Sequence, residues 1–338
     1  MAKALFGDYK NDLSVALQAV RLASRATATV QKSLKKSEIE TKDDRSPVTI
    51  ADYAAQAIII KHLSKHLGNA TKFVAEEETS SLRERKNSGL LEEIVEIVEE
   101  VSGPSTQREV LEMIDLGNHD ASAEKFWTLD PIDGTKGFIR GQQYAISLGL
   151  IEEGQVVLGV LGCPNLPLDQ NRPFDAGDDE GGLYFAVKEA GSWSIRPDDE
   201  ISKKSKSSIS SRAHASECLP CESVESSHSK LNFSERIFRS MAVSQSPCRL
   251  DSQCKYAVVA RGQADIYLRI PTDHNYQEKI WDHAAGALVA SEAGAKVTDI
   301  RGKPLNFHYG KTLRENEGIA CAIPAIHSEL LRAISNTL

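Results

Sequence analysis

Asp130 and Asp133 flank a Pro131-Ile132 pair and lead directly into Gly134-Thr135. The residues before them, Phe126-Trp127-Thr128-Leu129, read as an apolar strand that breaks at this point. Pro131 restricts the backbone and Gly134 permits a tight turn, so the two carboxylates can converge while N–H groups near Gly134 and Thr135 face a phosphate. Hard cations such as magnesium take oxygen ligands, and carboxylates at a strand end supply them without burying uncompensated charge. The competing reading is an acidic turn, because Asp, Pro and Gly are ordinary loop residues. A third acid, Asp282 in Trp281-Asp282-His283-Ala284-Ala285-Gly286, precedes a run of small residues that reads as a tightly packed helix. By itself Asp282 is an N-cap. Paired with the first motif it becomes a candidate shared ligand.

The elements that must position these acids follow from periodicity. Leu13, Leu17, Val20, Ser24, Thr27, Val30 and Leu34 predict a long N-terminal helix with one apolar or small face. Ser46-Pro47-Val48-Thr49 interrupts it, and Ala55, Ile59, Leu63 and Leu67 predict a second helix from a Thr49 N-cap, with Asp52 in its first turn. Lys72 to Ala75 is a short strand running into Glu76-Glu77-Glu78. Residues 80–123 read as a charged surface excursion with one amphipathic helix near Leu90 to Val98. Hairpins are expected through Glu152-Glu153-Gly154-Gln155 and near Ala190-Gly191. The Ser- and Lys-rich stretch Ile201 to Ser211 reads as a linker or exposed loop. Beyond it, helices near Glu235 to Met241, Gln253 to Arg261 and Asp282 to Ala293 alternate with strands at Cys248 to Leu250, Ala264 to Ile270, Lys296 to Thr298 and Gly318 to Ile323. That alternation is the mark of an α/β lobe.

The chain of 338 residues has 48 acidic and 40 basic side chains, a net charge of -8, which disfavours general attraction to nucleic acid or an anionic membrane. An anionic substrate then needs a local positive site, from a few basic side chains or a bound cation. Lys203, Lys204 and Lys206 read as a solvated loop rather than a nucleic-acid site. The longest apolar runs fall far short of the roughly 20 residues of a membrane span, and Met1 to Lys10 does not read as a secretory signal, so a cytoplasmic protein is expected. Six scattered cysteines suit a reducing compartment. Cys218 and Cys221 have metal-like spacing without a second ligand pair, and read as a loop with two thiols.

Taken in order, Ser46-Pro47-Val48-Thr49 with Asp52-Tyr53, Ala75-Glu76-Glu77, Asp130 to Arg140, Asp251-Ser252-Gln253-Cys254-Lys255-Tyr256, Tyr267-Leu268-Arg269 and Gln277 to His283 cover nearly the whole chain. With them the sequence resembles the lithium-sensitive, magnesium-dependent phosphomonoesterase superfamily that includes inositol monophosphatases and fructose-1,6-bisphosphatases. Within it, the 3′(2′),5′-bisphosphate nucleotidases are most similar. Ala75 and Cys254 depart from the pattern, where glycine and alanine are familiar.

The resemblance implies an α/β fold, specifically a layered αβαβα sandwich of inositol-monophosphatase type, with the active site between an N-terminal lobe (residues 1–200) and a C-terminal lobe (201–338). It implies one magnesium on Glu76, Asp130 and the Ile132 carbonyl, and a second on Asp130, Asp133 and Asp282. Asp52 and Thr135 would orient and deprotonate the attacking water, and Gly134 and Thr135 would hold phosphate oxygens. Glu77 is as readily a solvated turn. His228, Ser252, Lys255 and Arg269, together with Asp282, would contact the nucleotide. The expected reaction takes adenosine 3′,5′-bisphosphate (PAP) to AMP and phosphate, with 3′-phosphoadenylyl sulfate (PAPS) as a second substrate, lithium as inhibitor, and a monomer as the working unit. An inositol polyphosphate 1-phosphatase, possible as a dual activity, and a nucleotide-binding sensor without turnover are the alternatives.

Overall fold

The computed structural model describes residues 5–34, 47–84, 88–174, 176–224, 231–273 and 275–337. Helix α1 (Lys10–Leu34) buries Leu13, Leu17, Val20, Ser24 and Thr27 on one face, as their spacing predicts. Helix α2 (Pro47–Leu67) begins at Pro47 rather than after a Thr49 cap, which moves Asp52 into the second turn. A proline suits the first helical position, where its missing N–H has no partner to lose. Residues Ala54, Ala55, Ile58, Ile59 and Leu63 bury α2 on nearly every side, between α1, α3 (Ser88–Ser102), α4 (Gln107–Asp115) and the strand Lys125–Asp133.

The first sheet has seven strands in sequence order: β1 (Phe73–Ala75), β2 (Lys125–Asp133), β3 (Ala145–Glu152), β4 (Gln155–Cys163), β5 (Gly182–Val187), β6 (Gly191–Ile195) and β7 (Ser205–Lys206). Among the described residues, β1 and β2 pair in parallel and the other neighbours of this sheet antiparallel, with Glu152 opposite Gln155 and Val187 opposite Gly191 at the expected hairpin turns. The second sheet is ordered β11-β12-β10-β8-β9, from β8 (Pro220–Glu222), β9 (Cys248–Arg249), β10 (Ile266–Arg269), β11 (Lys296–Thr298) and β12 (Ile319–Ala322).

Side-chain alternation builds five layers. Leu183 and Phe185 of β5 face α1 and α2, while Tyr184 and Ala186 face α7 (Cys254–Ala260) and α8 (Ala284–Glu292). Tyr267 and Cys321 of the second sheet close on the same two helices from the other side. Ile266, Leu268, Ala320 and Ala322 point outward to α6 (Leu231–Ser240) and α9 (Pro324–Thr337). The order is helix, sheet, helix, sheet, helix, as expected for the layered α/β fold.

Four local expectations need correction. The excursion over residues 80–123 holds a second helix, α4, started by a capping box in which Thr106 and Glu109 bond each other's backbone N–H. The stretch after Ile201 adds the edge strand β7, and Lys204 lies 4.9 Å from the Trp193 ring centroid, so the basic loop does have aromatic neighbours. Asp282 is not the N-cap of α8; His283 holds that position. Cys221 lies in β8 rather than a loop, and burial pushes both the Cys218 and Cys221 thiols up. Among the described residues, no helix is long and apolar enough to cross a membrane.

Candidate active site

The Asp130–Asp133 pair owes its geometry to a bulge. Asp130 pairs with Ser147 of β3 and Asp133 with Ala145, so three steps along β2 match two along its partner. Side chains three apart on a regular strand face opposite sides of the sheet; one extra residue returns Asp133 to the side of Asp130. Pro131, which has no N–H to give the ladder, is tolerated at such a bulge, and the Ile132 N–H turns back to Asp130 Oδ1 at 3.1 Å. Glu76 arrives from β1, whose ladder continues through the Glu76 N–H to Leu129 O at 3.2 Å. That sets Glu76 next to Asp130.

After the bulge the chain turns through Gly134, at φ +88°, into the one-turn helix α5 (Thr135–Ile139). The turn lies flush on residues 251–252. A Cβ on Gly134 would stand 2.9 Å from Ser252 Cβ, and one on Gly137 2.3 Å from Gln143 O and 2.9 Å from Asp251 Oδ2. Arg140 pairs with the buried Asp251 on the same face. Ile132, Phe138 and Tyr144 form a small apolar cluster with Ala51 of α2, which brings the neighbouring Asp52 up to the motif.

These segments enclose a cleft of about 470 Å³. Its lining includes Glu76, Asp130, Ile132, Asp133, Gly134 and Thr135 from the first half of the chain, and Ser252, Lys255, Arg269 and Asp282 from the second. Asp52 is outside the lining, buried beside Glu77 and Glu76. Thr135 directs Oγ1 to the Ile132 carbonyl at 3.4 Å. His228 lies outside the described residues.

The acids are in electrostatic conflict. Burial, then Glu76, Asp133 and Asp282, hold the Asp130 carboxyl well above the usual range. Asp282 is raised by burial and by Asp133, and Glu76 by burial and Asp133. Burial also raises Asp133, against the pull of Lys255, the Gln253 N–H and Arg269. Asp52 is raised by burial, Glu77 and Glu76, and Glu77 is pushed up to about 7, chiefly by burial. Four oxygen-donor carboxylates that oppose one another's ionisation fit a hard cation such as magnesium.

Lys255 and Arg269 are largely withdrawn from solvent. Lys255 is 3% exposed, donates to Ser252 O at 2.7 Å and Leu250 O at 3.2 Å, and lies over the Tyr267 ring. Ser252 itself has φ +68°, a strained backbone for a side-chain-bearing residue and the kind found at binding sites. Arg269 donates to Glu278 Oε1 at 2.8 Å, and Glu278 also contacts His283 Nε2 at 3.1 Å. Burial resists ionisation of Glu278, but Arg269 and His283 outweigh it and hold the carboxyl at about 2. Among the described residues, Glu278, Asp282 and His283 are the group whose ligand atoms all lie within 4.8 Å. Two of the three are engaged with Arg269 and Tyr256 instead, so this cluster fixes Arg269 at the cleft.

Sequence reasoning gave no role to Gln56, Gln253 or Glu278. Gln56 clamps Glu77 through both its N–H and its carbonyl, at 3.1 and 2.8 Å. A glutamine set among Ala54, Ala55, Ala57 and Ile58 is the available signal. Tyr276, 44% exposed on the cleft lining, was also unassigned.

A model of the inositol monophosphatase family matches residues 11–338. The chain belongs to the inositol monophosphatase family. Among members of that family, a 3′(2′),5′-bisphosphate nucleotidase from Emericella nidulans is 41% identical, over 98% of this chain and 99% of its own. One from Schizosaccharomyces pombe is 40% identical over 94% and 93%, and a 3′,5′-bisphosphate nucleotidase from Arabidopsis thaliana 38% over 98% and 97%. The inositol monophosphatase of Anabaena (Nostoc) sp. superposes with a TM-score of 0.60 at 22% identity, covering 97% of this chain and 98% of that one. CysQ from Bacteroides thetaiotaomicron, a bacterial member of the inositol monophosphatase family, gives 0.60 at 18%, over 94% and 98%. The layered fold is that of the family.

The raised carboxylates carry a sign for stability. A folded pKa above the unfolded one means that, as pH climbs past the ordinary carboxylate range, the unfolded chain releases protons first. Stability of metal-free protein should therefore fall from about pH 4, where carboxyls of the unfolded chain ionise, through about pH 7, where Glu77 does so in the folded one, the reverse of acid denaturation. A cation that binds the ionised acids should oppose the fall. Thermal unfolding across that range in EDTA and in excess magnesium measures it; identical slopes would separate the acids from any cation.

Proposed function

We propose that the chain is a magnesium-dependent, lithium-sensitive phosphatase that hydrolyses adenosine 3′,5′-bisphosphate to AMP and phosphate, and also accepts 3′-phosphoadenylyl sulfate. The observation that carries this is one cleft holding both halves of the chemistry: Glu76, Asp130, Asp133 and Asp282 as hard oxygen donors, and the buried Lys255 and the partly buried Arg269 as cations. Relatives about 40% identical over nearly their full length, and named for this activity, support it. An inositol monophosphate carries neither a second phosphate nor a base, and would leave Lys255 and Arg269 without that role.

Residues 1–200 would supply Glu76, Asp130, the Ile132 carbonyl and Asp133; residues 201–338 would supply Asp282 and the nucleotide contacts. Magnesium bound there would neutralise phosphate charge and make a bound water more acidic. Asp52, which follows Ala51 and its contact with Ile132, would accept a proton relayed through the Thr135 hydroxyl. Gly134 and Thr135 would place backbone N–H groups toward phosphate oxygens. Ser252, Lys255 and Arg269 would hold the phosphate that is not cleaved, with Glu278 keeping the Arg269 guanidinium in one orientation. The working unit would be a cytoplasmic monomer.

Phosphate release from adenosine 3′,5′-bisphosphate and inositol 1,4-bisphosphate, measured in parallel with magnesium, EDTA and lithium, tests the reading. Magnesium-dependent, lithium-inhibited release should favour the nucleotide by at least about tenfold in kcat/KM, a difference of roughly 1.4 kcal/mol. Preference for the inositol would assign the chain to the inositol polyphosphate 1-phosphatases. No release from either, with nucleotide still bound, would leave a sensor.

A further inference from the structure

We propose that Gln253 is a positioning residue that sets Asp133 and Asp282 at cation-binding spacing by serving as the N-cap of α8 from a distant part of the chain. The proposal rests on the cation-dependent reading above.

Helix α8 starts at Ala284, and the side chain at its own N-cap position, His283, caps nothing. The N–H of Gly286, the third residue of the helix, is the one an N-cap side chain normally satisfies. Here it donates to Gln253 Oε1 at 2.9 Å, from 33 positions away. The other end of the same carboxamide, Nε2, donates to the Trp281 carbonyl at 2.8 Å. The Gln253 main-chain N–H donates to Asp133 Oδ2 at 2.6 Å. One residue, 2% exposed, thus joins the bulge that carries Asp133 to both sides of the turn that carries Asp282.

The consequence is chemical. An aspartate placed just before a helix ordinarily turns its carboxylate onto the helix N–H groups. With Gly286 already satisfied by Gln253, the Asp282 carboxylate is released to line the cleft. Only a carboxamide meets both demands, because Trp281 offers an acceptor and Gly286 a donor. A carboxylate would set an oxygen against the Trp281 carbonyl, and an apolar side chain would leave the Gly286 N–H unmatched in a buried place and the Trp281 carbonyl with only the Ser147 hydroxyl, at 3.3 Å. Asp133 is held by the main chain of Gln253, so side-chain variants should act chiefly through Asp282.

The test compares wild-type protein with Gln253→Glu, Gln253→Met and a control, Ile326→Ala, which cuts the buried core between the second sheet and α9. Manganese binding is followed by electron paramagnetic resonance, and the magnesium dependence of phosphate release is separated into half-saturation and plateau. Both Gln253 variants should bind manganese about 10- to 100-fold more weakly, the usual cost of removing a group that orients a ligand. Half-saturation by magnesium should rise in step, with the plateau partly recovered at high magnesium. Ile326→Ala should lose thermal stability and keep wild-type metal affinity. Should Gln253→Met fail to fold, Gln253→Glu, of equal size and with its acceptor toward Gly286 intact, decides the question. Wild-type affinity in a folded Gln253 variant, or an equal loss in the control, overturns the proposal while the cation-dependent reading stands. Absence of manganese binding by wild-type protein overturns both.

Discussion

Asp130→Asn should lower magnesium-dependent phosphate release by about 10⁴-fold, since bound cations contribute several kcal/mol to neutralising phosphoryl charge and each 1.4 kcal/mol is a decade in rate. Asp130 is the acid on which the others bear, 3% exposed and raised by burial and then by Glu76, Asp133 and Asp282. Asparagine keeps the oxygen that accepts the Ile132 N–H, so the bulge should survive. Removing a charge from among three like charges should leave metal-free protein at least as stable as wild type at neutral pH. Loss of activity with undiminished stability in EDTA is the combined signature. Retention of more than about a tenth of wild-type turnover, far below the loss of a cation ligand, would remove Asp130 from the proposed ligand set.

Asp52→Asn should reduce turnover by about 10²- to 10⁴-fold, the range over which a positioned proton acceptor contributes. Nucleotide binding, measured by calorimetry on the same protein, should persist, because Lys255, Arg269 and Ser252 are untouched. The carboxyl stands behind the cleft wall in α2, next to the Ala51 contact with Ile132, and asparagine is close to it in shape. Its neutral amide also relieves the repulsion from Glu77 and Glu76. Turnover within about threefold of wild type would exclude Asp52 as the acceptor. A sensor would keep its biological effect through this change, whereas an enzyme would not.

The acidic motif was legible because its chemistry is local: two carboxylates, a proline and a glycine within five positions already specify a strand that ends in a turn. The hairpins were legible for the same reason, with strand-length segments on either side of Glu153-Gly154 and Ala190-Gly191. Helix α4 was passed over although Thr106 and Glu109 are the written form of a capping box. Its buried residues, Val110 and Ile114, are too few among charges to set a period. Reading Asp282 as an N-cap was a fair inference from its neighbours, and failed because the cap comes from Gln253, a partner that no local pattern reveals. The same holds for Arg269: its charge was visible, its engagement by Glu278 nine residues on was not. Long-range hydrogen bonds between short polar side chains and backbone leave almost no trace in periodicity.

The bulge at Asp130 to Asp133 makes the spacing of these acids a matter of parity. Substituting Pro131 or Ile132 alters the turn by degrees. Deleting either removes the odd residue and sends the following side chain to the other face of the sheet. Length changes at this point are therefore all-or-none where substitutions are graded. A related chain that varied the two intervening residues would have to keep their number to hold both acids on one face.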